Sequence, residues 1–142
     1  MMQAEMIVKK ETFKHVESEL FAYHETKAEI NRIRQEILHG TASPDNNGGG
    51  RSNLPGDPTF RVVSSLDNHK RLKYLENIAN AIEEVYTQLP EEKQKLIRMK
   101  YWTRPQLLTW DGIADRLNVV PRTAKRWRNE VVYAVAKSLG WR

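Results

Sequence analysis

Near the C-terminus two helical patterns meet across three residues, and this junction restricts the fold more than any other stretch of the chain. Thr109 is a good N-cap, and Asp111 follows in the first turn, where a negative charge suits the helix dipole. Ile113 and Leu117 stand four apart on the inner side of a first helix, and Ala114 is small where a second helix must cross closely. Asn118-Val119-Val120 makes a short turn with Val119 plugging its corner. Pro121 opens the next helix, at a position where its missing N–H costs nothing. Ala124, Trp127, Val131, Val135 and Leu139 give that second helix its buried stripe. The spacing predicts a helix-turn-helix over residues 109–139.

The rest of the chain has to support that pair. Residues 6–39 read as one long helix, with Phe13, Val16, Leu20, Tyr23, Ile30 and Ile37 on a three-four spacing that Lys27 and Arg34 interrupt. His39-Gly40 is a good stop. Residues 41–59 hold three Pro and four Gly without periodicity, the composition of a flexible linker. A further helix is predicted from Ser65, or from a cap at Ser64, to Leu89, along a stripe of Leu66, Leu72, Leu75, Ala79, Ile82, Val85 and Leu89. Leu89-Pro90-Glu91-Glu92 starts another, which ends near Tyr101-Trp102 because Arg104-Pro105 prevents its continuation. No stretch alternates with period two, so the chain is expected to be all-α. Its expected division is an N-terminal amphipathic helix over 1–40, a linker over 41–60 and a helical domain over 61–142.

Charge is unevenly distributed over these segments. Of the net +5, residues 1–60 contribute seven Lys/Arg against nine Asp/Glu, and the remainder 16 against nine. From residue 121 onward Arg122, Lys125, Arg126, Arg128, Lys137 and Arg142 face a lone Glu130. A basic cluster by itself is more often a solvated helix face than a binding surface. Placement decides otherwise here, because the N-terminal part of the second helix of such a motif is the part that meets base edges in the major groove. Arg122, Thr123, Lys125, Arg126 and Asn129 fall on the side opposite the buried stripe. Arg pairs with guanine and Asn with adenine. Arg128 lies beside the stripe and is expected to anchor a phosphate, with Arg104 or Lys100 doing so from the flanks. The expected partner is double-stranded DNA.

Other chemistries find little support. Without cysteine there is neither a disulfide framework nor a thiolate metal site. His15, His24, His39 and His69 have no close metal-ligand spacing, so no metal and no cofactor is expected. Gly48-Gly49-Gly50 lacks both the Gly-Lys-Ser/Thr and the preceding strand of a phosphate loop. Trp127 belongs to the buried stripe, and Trp102 and Trp110 sit at helix ends; core packing outweighs base stacking for them, while Trp141 stands open. Glu83-Glu84 and Glu91-Glu92 are ordinary helix charges, and no enzymatic constellation is found. No apolar run approaches the roughly 20 residues of a membrane span, and the start of the chain has no secretory pattern, so a cytoplasmic location is expected.

Residues 88–139, from Gln88-Leu89-Pro90-Glu91-Glu92 through Leu96–Tyr101 to Thr109–Leu117 and Val119–Trp127, resemble region 4 of bacterial sigma factors. The resemblance implies a module that binds the promoter −35 element. Val120-Pro121 departs from it, since that module has a Ser or Thr cap followed by a polar residue. Glu17–Tyr23, Lys27–Ile37, the Gly-rich gap, Arg122–Arg128 and Ala136–Gly140 together resemble RinA-type phage transcriptional activators and the related ArpU-like regulators. That family implies a phage or prophage activator of late genes, acting in the bacterial host cytoplasm at the nucleoid. Host RNA polymerase and a second copy of the chain are then further candidate partners for the N-terminal helix. Packing of that helix against residues 66–89 of its own chain is the plain alternative. Two other readings compete: a small terminase subunit, and a sigma-like protein that binds polymerase without touching DNA.

Overall fold

A computed structural model describes residues 8–39 and 58–142, the side chains of 58–64 excepted. Among the described residues there are six helices and no strand: α1 (Lys10–Phe21), α2 (Tyr23–His39), α3 (Pro58–Gln88), α4 (Glu91–Tyr101), α5 (Trp110–Leu117) and α6 (Pro121–Leu139). The chain is all-α, and no described helix is long and apolar enough to cross a membrane. Residues 6 and 7 of the expected first helix lie outside the described residues, as does the expected linker apart from Pro58–Phe60.

Two element boundaries differ from expectation. The helix expected over 6–39 is broken at Ala22, whose φ of −90° and ψ of 4° leave the helical region. At the break the Leu20 carbonyl accepts from Trp102 Nε1 at 3.0 Å, and the Phe21 carbonyl from Arg104 Nη2 at 2.6 Å. Side chains inserted into a helix ladder are a common cause of such interruptions. The second difference is the start of α3, which lies at Pro58 rather than Ser64 or Ser65. Pro is well suited to a first turn because it forfeits no intrahelical bond there.

The chain forms two compact units. The unit of residues 25–77 buries Thr26, Ile30 and Ile33 of α2 at helical spacing. Arg34 pairs with Glu76, Arg71 with Glu29 at 3.2 Å, and Asn68 Nδ2 donates to Glu36 at 3.4 Å, tying α2 to α3. These contacts are exposed and each contributes a few tenths of a kcal/mol, about 1 at most.

The other unit combines residues 1–24 with 78–142. Its main core joins Val16 and Leu20 of α1, Ile78 and Ile82 of α3, Ile97 and Tyr101 of α4, and Val131, Val132, Val135 and Ala136 of α6. The first helix therefore packs within its own chain. A smaller cluster of Leu96, Ile113 and Leu117 holds α4 to α5, with Val119 and Trp127 packed against it. Helix α6 lies against α1, α4 and α5. That arrangement buries one side of α6 and leaves the other to solvent.

Candidate nucleic-acid interface

The local geometry around α6 follows from a few residues. Thr109 Oγ1 accepts from Gly112 N at 3.2 Å and caps α5. A Cβ at Gly112 would come within 3.2 Å of Leu108 Cδ2, so a larger residue there requires that side chain to give way slightly. At the far end Asn118 adopts φ 60°, ψ 40°, in the left-handed region that Asn tolerates better than most residues. Asn118 N bonds Asp115 O at 3.1 Å and Val119 N bonds Ala114 O at 3.0 Å, the pair of bonds that closes a helix and reverses the chain. Val119 then packs on the small cluster, and Pro121 begins α6 after a three-residue turn. Val120 supplies no side-chain cap and is 61% exposed. Gly140, at φ 75°, ends α6 with the same two-bond pattern, directing Trp141 back onto the core.

Gln106 fixes the loop that leads into α5. Its Nε2 donates to the Met99 and Lys100 carbonyls at 2.7 and 2.9 Å, and its Oε1 accepts from Leu108 N at 2.8 Å. A single side chain thus satisfies the end of α4 and positions the approach to α5.

Four of the six expected site residues are brought together. Arg122, Lys125, Arg126 and Asn129 line one open groove of about 550 Å³ along α6. Their spacing of three, four and seven residues puts them on one face of the helix. Arg122, Lys125 and Arg126 are exposed, and none has a carboxylate partner among the described residues. Thr123 is half-buried on the flank and does not line the groove.

Arg128, expected to anchor a phosphate, is engaged within the chain: its side chain is turned inward and is only 19% exposed. Nη1 donates to Glu17 Oε2 at 3.2 Å, and the guanidinium carbon lies 5.3 Å from the Phe13 ring centre and 5.0 Å from that of Trp110. Glu17 also accepts from the buried Tyr101 hydroxyl at 2.6 Å. Burial, and then that hydrogen bond, raise the Tyr101 pKa and keep its proton in place. The flanking candidates are engaged as well: Arg104 at the Phe21 carbonyl, and Lys100 Nζ 5.7 Å over the Phe21 ring and 5.1 Å over that of Trp110. Phe13, Glu17 and Tyr101 were missing from the sequence-based site. Their only advance signal was a helical seam with a carboxylate one position beside it.

The tryptophans are packing residues. Trp102 stacks on Tyr23 at 5.0 Å, Trp127 packs on the small cluster under Lys93, and Trp141 stacks on His15 at 4.3 Å. Among the described residues no group of three or more His, Cys, Asp or Glu is arranged to hold a metal ion.

A family model described as "Protein of unknown function (DUF722)" matches residues 20–137. The chain belongs to that family. The DUF722 match takes in α2 to α5 and α6 as far as Lys137, and so includes every residue lining the groove. No curated protein and no solved structure matches the chain.

Proposed function

We propose that this chain is a sequence-specific DNA-binding protein whose α5 and α6 form a helix-turn-helix, with α6 entering the major groove. The observation that carries the reading is the groove of Arg122, Lys125, Arg126 and Asn129: cations without carboxylate partners among the described residues, on the solvent side of a helix otherwise packed into a core. Exposed cations at the N-terminal part of a helix preceded by a short turn match what base recognition in the major groove requires. Arg122, Lys125 and Arg126 read bases, and Thr123 lies at the edge of the contact.

The resemblance to RinA-type and ArpU-like regulators extends the proposal to a non-catalytic activator of phage or prophage late genes, working in the host cytoplasm with RNA polymerase as a further partner. The test is selection of bound sites from random duplex DNA, followed by footprinting. The reading expects one enriched motif beside a −35 element, and an affinity that falls with salt at a slope of roughly −0.9 per phosphate neutralised. Absence of any enriched motif, with no DNA shifted even at low salt, contradicts it and favours a protein that touches polymerase alone. A ring of about eight or more subunits in solution, with no motif near promoters, favours the terminase reading.

A further inference from the structure

A chain of polar groups runs from the core to the groove. Tyr101 Oη donates to Glu17 Oε2 at 2.6 Å, Arg128 Nη1 donates to the same oxygen at 3.2 Å, and Arg128 Nε donates to Asn129 Oδ1 at 2.7 Å. Asn129 is the last member of this chain and also lines the groove. An arginine has donors and no acceptor, so the atom it meets on the Asn129 amide has to be the oxygen. The orientation of that amide is thereby set. Arg128 cannot follow a rotation of it, because Glu17 holds one end of the guanidinium while the Phe13 and Trp110 rings lie within 5.3 Å.

We propose that Arg128 is a positioning residue which engages the Asn129 oxygen and leaves the Nδ2 hydrogens as the group offered to the groove, so that Asn129 selects an acceptor-only base edge, guanine above adenine. The inference rests on the DNA-binding reading and deepens it. An unconstrained Asn pairs with adenine by accepting from N6 through its oxygen and donating to N7 through its nitrogen. Here that oxygen already holds a charge-assisted hydrogen bond, which turning it outward would break. Guanine presents N7 and O6, both acceptors, to the two Nδ2 hydrogens. The adenine pairing expected for Asn129 from its residue type is replaced by a guanine pairing once its neighbour is known.

The experiment compares sites selected from random duplex DNA by the full chain, by Asn129→Ala, by Asn129→Asp and by Arg128→Lys. The base pair that Asn129→Ala flattens is the one Asn129 reads. At that pair the parent is expected to prefer guanine roughly tenfold. Asn129→Asp retains the acceptor for Arg128 but has no donor, and is expected to invert the preference toward cytosine, whose N4 donates. Arg128→Lys loses the directional Nε–H and is expected to level that one position while the positions read by Arg122 and Arg126 keep theirs. A purely structural Arg128 would not produce a change confined to one base pair. An adenine preference in the parent, or no inversion with Asn129→Asp, overturns the assignment even if Arg128→Lys fails to fold. A folded Arg128→Lys with the parent's base preferences also overturns it. A parent that selects no motif at all removes the DNA reading, and this role with it.

Discussion

Arg126 and Arg128 are two residues apart in sequence and have opposite fates. Arg126 lines an open groove without a carboxylate partner among the described residues, whereas Arg128 is held by Glu17 and by two aromatic rings. Arg126→Ala is accordingly expected to leave the melting temperature unchanged and to cost on the order of 1–3 kcal/mol in binding, with relaxed preference at one base pair. Arg128→Ala is expected to lower stability by about 2 kcal/mol, because it strips Glu17 of its charged partner in a half-buried position. Thermal melts of the two variants, set beside binding titrations, separate the effects; equal melting temperatures would contradict the division. The groove-facing set was legible in the sequence because residues three, four and seven apart on a helix share a face. Arg128 was not, since Glu17 lies 111 residues away and no local pattern brings them together.

Helix ends show the same contrast between near and distant causes. Thr109 and Pro121 act through backbone groups a few residues away, and each was readable from its type and position. The break at Ala22 was not, because the side chains that bind the Leu20 and Phe21 carbonyls come from Trp102 and Arg104. Asn118 falls between these cases. Its place in the turn was legible, while its left-handed backbone is a feature the structure adds. Replacing it with a β-branched residue tests how much the turn depends on that conformation. Asn118→Ile is expected to destabilise the chain by about 1–2 kcal/mol in denaturant unfolding, while Asn118→Gly is expected to be close to neutral. An Asn118→Ile variant as stable as the parent would show that the turn re-forms by another route.

Taken as a molecule, the chain surrounds α6 with helices from both ends of the sequence. The pairing of residues 1–24 with 78–142 explains why a helix that the sequence left open between a partner and its own chain carries fully buried Val16 and Leu20. All-α content was legible from periodicity alone, but the compact units were not, since they depend on which apolar stripes meet. The same packing predicts a pH response. Tyr101 and Tyr23 both have raised pKa values, chiefly through burial and then through hydrogen bonds to Glu17 and Glu83. The folded chain therefore keeps protons that the unfolded chain releases above about pH 10. Stability from these groups is complete below that pH and declines above it, and Tyr101→Phe is expected to make the alkaline decline shallower. Denaturation midpoints at about pH 8 and about pH 10.5 check this; an unchanged slope would contradict it. The proposal that α6 reads DNA through one face stands or falls on a ratio of affinities at about 0.15 M salt, for a selected duplex over an unrelated one. The parent is expected to show a ratio on the order of 10³ or more, and the Arg122→Ala/Lys125→Ala/Arg126→Ala chain, still folded, a ratio near one. A triple variant that keeps the parent's ratio would contradict the assignment of this face as the reading surface.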